Sequence, residues 1–161
     1  MNSVLDDQSP ASVPEAPAPD LRRLWMGVLA RADRATLEAV WRDLPDPPGF
    51  RHLRQPEIGL AMVRGRMGGD GQRFNLGEMT IARAALVTDH GLTGFGYVAG
   101  RDLRHAELAA LFDALLQDDA HRPMLMAALI EPLESAAIAR RAARDQAVQA
   151  SKVEFFTMVR E

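Results

Sequence analysis

Apolar positions along the chain change their spacing twice, from helical to alternating and back again. Leu21, Leu24, Trp25, Val28 and Leu29 fall at the i, i+3, i+4, i+7, i+8 spacing of an amphipathic helix, with Asp20 placed to cap it. A second helix follows Asp33, with Leu37, Val40, Trp41 and Leu44 on its inner stripe, and Pro45, Pro47, Pro48 and Gly49 end it. From Phe50 the pattern turns to alternation. It predicts strands over Phe50 to Arg54, Ile58 to Met67, Leu76 to Thr88 and Leu92 to Gly100, with Asp89-His90-Gly91 as the hairpin turn joining the last two.

Helical spacing returns after Asp102, a suitable cap, with Leu108, Leu111, Phe112 and Leu115 as the buried stripe. Pro123 suits an early position in a short helix through Leu129, and another helix is predicted from near Pro132 to about Ala150. Val153 to Arg160 reads as a final strand with apolar side chains on both faces, Phe155 on one and Phe156 and Met158 on the other. Such a strand is either central in its own sheet or packed against another subunit. The expected fold is α+β: an antiparallel sheet of about four or five strands with N-terminal and C-terminal helices packed over it. Residues 1–19 carry Pro10, Pro14, Pro17 and Pro19 among small and acidic residues and are expected to be a disordered tail. That leaves 20–161 as a single domain, long enough to bury a substantial core.

Composition narrows the function classes. Hydrophobic residues at 47% and charged residues at 25% are those of a globular protein. Asp6 and Asp7 interrupt any signal-peptide pattern, and no long uncharged apolar run suggests a membrane span, so a cytoplasmic location is expected. The absence of cysteine excludes disulfides, thiolate metal ligands and cysteine nucleophiles from this chain. A net charge of -3 argues against a nucleic-acid partner. Every basic residue except Lys152 is arginine, a bias that either a GC-rich genome or selection for anion binding would produce.

Several constellations are chemically suggestive. Arg66, Gly68, Gly69, Gly71 and Arg73 put three glycines between two arginines, which makes either a tight turn needing positive φ or a phosphate cradle. The loop lacks the lysine and hydroxyl ending of a P-loop. Gly94 and Gly96 recur on one face of a strand with Phe95 and Tyr97 on the other, so a second backbone is expected to approach the glycine face. Arg101 and His105 flank the helix start at Asp102, where an anion could sit. His105 and Asp102 are the candidate acid-base groups, against a purely structural histidine. The histidines show no metal-ligand spacing, and no metal is expected on this chain alone. Farther on, Arg140, Arg141 and Arg144 cluster opposite a smooth face containing Ala139 and Ala143, which suits either a partner interface or a solvated basic surface.

Taken in order, several phrases resemble the PhnG family, the G subunit of the carbon-phosphorus lyase core complex. They are Trp25-Met26 through Val28-Leu29-Ala30, then Arg66-Met67-Gly68-Gly69 with Gly71 and Phe74, then Gly100-Arg101-Asp102 with His105-Ala106-Glu107. Asp113-Ala114-Leu115 with Gln117 and the ending Phe155-Phe156-Thr157-Met158-Val159-Arg160 complete the set. Departures are Lys152, where the family usually has arginine, an end at Glu161 without the family's short tail, and the extra proline-rich start. The resemblance implies an accessory subunit in a cytoplasmic assembly with the I, H and J subunits, with I the most direct partner. That assembly transfers methylphosphonate to the ribose C1 of ATP and releases adenine. No cofactor is then expected on this chain, since ATP is a substrate of the complex and the iron-sulfur cluster and S-adenosylmethionine belong to the J subunit. From the residues alone, a stand-alone phosphate or nucleotide binder and a self-sufficient transferase stay open as alternatives.

Overall fold

A computed structural model describes residues 17–67 and 71–150. Helices α1 (Pro19–Leu29) and α2 (Arg34–Arg42) lead into strands β1 (Phe50–Arg66), β2 (Arg73–Thr88) and β3 (Thr93–Ala99). Helix α3 (Leu103–Leu115) follows, then α4 (Arg122–Leu125), a π-helical turn over Met126–Ile130, and α5 (Glu131–Ala150). The strands form one antiparallel sheet in the order β1-β2-β3, so the α+β class is as expected.

The sheet has three strands among the described residues, not four or five. Phe50 to Arg54 and Ile58 to Met67 are parts of one long strand. Register shifts between His52 and Arg54 and between Arg54 and Glu57 mark bulges around Pro56, which has no N–H to donate to a ladder. A break in alternation therefore signals a bulge here and not a gap between strands. The expected strand over Val153 to Arg160 lies outside the described residues, as does all of the proline-rich start up to residue 16. Pro19 belongs to α1, at its first position, with Ala18 at the cap. Asp20 sits inside the first turn and pairs with Arg23, because proline's fixed φ and missing N–H suit a helix start.

Helix α3 is the centre of the molecule. It lies on the sheet, while α1 and α2 pack against it from other sides and the π-helical turn packs against α1 and α2. From His105 to Leu115 every residue except Glu107 is buried, so the leucine stripe is one side of a helix covered nearly all round. The other side is alanine. A Cβ at Gly94 or Gly96 would collide with the carbonyl oxygen of Ala110 or Ala106, so strand and helix meet backbone to backbone, as the alternating glycines predicted.

The C-terminal helix was expected over the sheet; instead α5 leads away from it, meeting the rest of the described chain chiefly at the π-helical turn. Pro132 accounts for that turn, because its ring excludes the ordinary helical carbonyl four residues back and a wider turn relieves the clash.

At the heart of the packing is the Asp113 carboxylate, which is fully buried. It accepts from Arg22 Nε at 3.1 Å and Nη2 at 2.8 Å, from Trp25 Nε1 at 2.9 Å and from the Phe95 backbone N–H at 2.9 Å. Replacing Asp113 with alanine strands the buried Trp25 donor and leaves the part-buried Phe95 N–H without its partner, and should lower stability by about 3 kcal/mol, read as a shift in the urea midpoint. Gly96→Ala should destabilise by a comparable amount, roughly 2–3 kcal/mol, because the helix must move off the strand. A melting temperature for Gly96→Ala within a degree of the parent would contradict that account.

Candidate functional site

Beyond Thr80 the β1–β2 hairpin leaves the body of the protein. β3 pairs with β2 only from Ile81 to Val87, so the distal part of β2 has β1 as its sole neighbour. From Leu60 to Arg66 this two-stranded arm reaches roughly 20 Å at the usual rise per residue. One face of its stem carries Leu60 and Met62, continuing from Ile58 in the three-stranded part, each more than half exposed, and Phe74, Leu76 and Met79 are exposed as well. A two-stranded ribbon has no layer to bury such residues against.

Past Met62 the same face becomes basic. Arg64, Arg66 and Arg73 line a pocket of about 340 Å³ with Gly71 and Gln72, and Arg66 and Arg73 are directly opposed in the strand register. Gly68 and Gly69 lie outside the described residues. Gly71 serves the turn by close approach: its N–H donates to the Met67 carbonyl at 3.0 Å, and a Cβ would overlap that oxygen. Positive φ, the expected reason, is absent from Gly71 and is found at Gly77, Gly91 and Gly100.

Arg101 is not part of this cluster. It stands two residues past Ala99, whose register partner is Ile81, and Arg73 lies roughly 25 Å farther along β2. His105 and Asp102 are both tied into the fold. The His105 ring is buried and its Nε2 donates to the Leu29 carbonyl at 2.8 Å, closing the end of α1. Asp102 caps α3 by accepting the His105 backbone N–H at 3.0 Å and also pairs with Arg34. Its carboxyl is held below the usual aspartate range, first by that amide, with the Arg34 charge adding and partial burial opposing.

On α5, Arg140 and Arg144 join Arg23, Arg31 and Arg141 along a groove of about 990 Å³ between α1 and α5, interspersed with Asp20, Glu134 and Asp145. Ala139 and Ala143 are exposed on the same helix. Phe155, Phe156 and Met158 lie outside the described residues. Among the described residues no three His, Asp or Glu side chains gather to hold a metal, and no helix is long and apolar enough to cross a membrane.

Sequence reasoning missed Arg64, the apolar stem and Asp113. The stem was visible as Ile58, Leu60 and Met62 in alternation, but alternation alone does not say that a strand outruns the layer covering it. Asp113 was visible as a lone acid inside an otherwise apolar helical run.

Because the Asp102 pKa is depressed on folding, its contribution to stability is complete above the ordinary aspartate value and disappears as pH falls through the lowered one. Asp102→Ala should therefore cost about 1 kcal/mol at neutral pH. The difference from the parent should close in acid below about pH 4, followed by urea melts across the range. A gap of the same size at pH 7 and pH 3 would show that the charge is not what matters.

Comparison with known proteins shows the family. The family model for phosphonate metabolism protein PhnG matches residues 20–161. A relative from Rhizobium meliloti (strain 1021), alpha-D-ribose 1-methylphosphonate 5-triphosphate synthase subunit PhnG, is 44% identical over 143 residues, covering 86% of this chain and 88% of the relative. The chain belongs to the PhnG family of phosphonate metabolism proteins.

Proposed function

We propose that this protein is an accessory subunit of an alpha-D-ribose 1-methylphosphonate 5-triphosphate synthase, the enzyme to which its relative's name assigns that protein. In this reading the complex transfers methylphosphonate to the ribose C1 of ATP, with release of adenine, in phosphonate catabolism. The chain contributes surface and positioning to a site whose chemistry lies on a partner. The I subunit of the carbon-phosphorus lyase system is its most direct contact, the H and J subunits belong to the same cytoplasmic assembly, and the iron-sulfur and S-adenosylmethionine chemistry belongs to J.

The observation that carries the proposal is the amount of apolar surface this chain leaves bare on parts that cannot fold back to cover it. Leu60, Met62 and Leu76 are more than half exposed on an arm outside the three-stranded part of the sheet, and Ile138 is equally exposed on the departing helix α5. Exposed apolar groups concentrated on such projections mark surfaces meant for another protein. The placement of His105 and Asp102 in structural bonds also favours an accessory role over a self-sufficient transferase.

Co-expression of the tagged chain with the I subunit, followed by size-exclusion chromatography and an adenine-release assay with ATP and methylphosphonate, tests this directly. The two should co-elute in fixed stoichiometry, and adenine release should depend on both. The opposite result is a chain that elutes alone as a folded monomer and gains thermal stability from ATP; it would make the protein a stand-alone nucleotide binder.

A further inference from the structure

We propose that Arg64, Arg66 and Arg73, at the end of the hairpin arm, form an anion site that holds the polyphosphate chain of the nucleotide substrate within a pocket completed by a partner subunit. This rests on the accessory-subunit reading and gives that subunit a specific task.

Two observations point to an anion as the ligand. The first is the register: Arg66 and Arg73 are direct cross-strand partners, and like charges in that relation are destabilising unless something between them is negative. Arg64 lies two positions from Arg66 on the same strand face, adding a third positive charge to the pocket. The second is the lack of compensation. None of the three forms an ion pair with a described carboxylate, so three uncompensated guanidinium groups share one pocket. The nearest acid in the ladder, Glu78, faces Met62 and leaves them unpaired.

The chemistry of the site selects its ligand. Three guanidinium forks on one face suit a ligand with several bidentate oxygen pairs in a row, as a triphosphate has, better than a phosphonate with a single charged centre. The stem explains how such a site could work away from the body of the protein. Ile58, Leu60 and Met62 lie on the arginine face, so a partner that covers them draws the tip in with them and removes water from around the charges. In a drier setting each arginine–phosphate contact strengthens.

The test uses the assembled complex carrying Arg66→Ala with Arg73→Ala, and separately Arg66→Lys with Arg73→Lys. The alanine pair should raise KM for ATP by about tenfold or more, leave KM for methylphosphonate within about twofold, and weaken inhibition by inorganic tripolyphosphate by a factor similar to the ATP effect. The lysine pair, which keeps charge but loses the fork, should fall between. An intact complex with an unchanged KM for ATP would overturn the site. So would an effect confined to methylphosphonate, or failure of the alanine pair to assemble, which would make the tip a protein contact. If the parent complex releases no adenine, the accessory-subunit reading fails by itself. Calorimetric titration of tripolyphosphate into parent and alanine-pair complexes then still decides whether the tip binds the anion.

Discussion

A carboxylate placed in the middle of a buried helix must find enough donors to replace its water, and the arrangement around Asp113 follows from that requirement. Its two oxygens are shared among Arg22 and Trp25 on α1 and the Phe95 N–H on β3. Three elements are thereby fixed to one atom pair. Breaking such a cluster is costly because it strands a buried Trp25 N–H and part-buried donors on Arg22 and Phe95, so the contact specifies the packing as much as it stabilises it. The Phe95 bond has a second effect. It covers an outward N–H on the edge strand, and Gln117, one turn farther along, covers the Thr93 carbonyl by donating to it at 2.9 Å. Asp113 on α3 and Gln117 just past its end thus cover two outward groups of a strand edge that would otherwise invite pairing with another chain.

The same helix could not do this from a normal distance. Gly94 and Gly96 let α3 approach β3 until backbone meets alanine, and only then does Asp113 reach the strand. This part of the fold was legible in the sequence, because glycine at alternate positions of a strand has few uses other than close approach. Helices were legible for a similar reason: the stripes Leu21 to Leu29 and Leu37 to Leu44 each face one core and carry the period of that contact. What periodicity could not convey is how many sides of an element are covered. The stripe on α3 marked the leucines facing the helices, and the alanines facing the sheet were silent because their size, not their hydrophobicity, fits them there. Pro56 misled for the opposite reason: a local irregularity resembles an end when only one chain is in view, and the neighbouring strand is what carries the ladder across it.

The candidate site was legible in part. Arg66, Gly71 and Arg73 were marked by composition and are brought together, while Arg101 and His105 were marked by a helix start and belong elsewhere. A strand-register relation decides between them, and register is set by partners that a single strand's pattern does not name. The unequal lengths of β2 and β3, 16 and 7 residues, leave part of the hairpin without a third strand, a disparity blunted in the predicted spans Leu76 to Thr88 and Leu92 to Gly100.

Net charge conceals how this protein distributes its charges. The chain is acidic overall, at -3, yet acids and arginines are not evenly paired. In the body, carboxylates are spent on structure: Asp113 inside the core, Asp102 at a helix start, and Glu107 between His52 and Arg104. On the arm, Arg64, Arg66 and Arg73 line a pocket that holds no described acid, and along the groove between α1 and α5 five arginines stand among three acids. Apolar side chains are bare on those same parts. Hydrophobic area and unneutralised guanidinium groups each carry a penalty in isolation, and both penalties are removed by burial against a surface that supplies apolar contact and negative charge together. A monomer selected to act alone has no reason to concentrate both on its projections, whereas a subunit that completes another protein's anion-handling site has one for each.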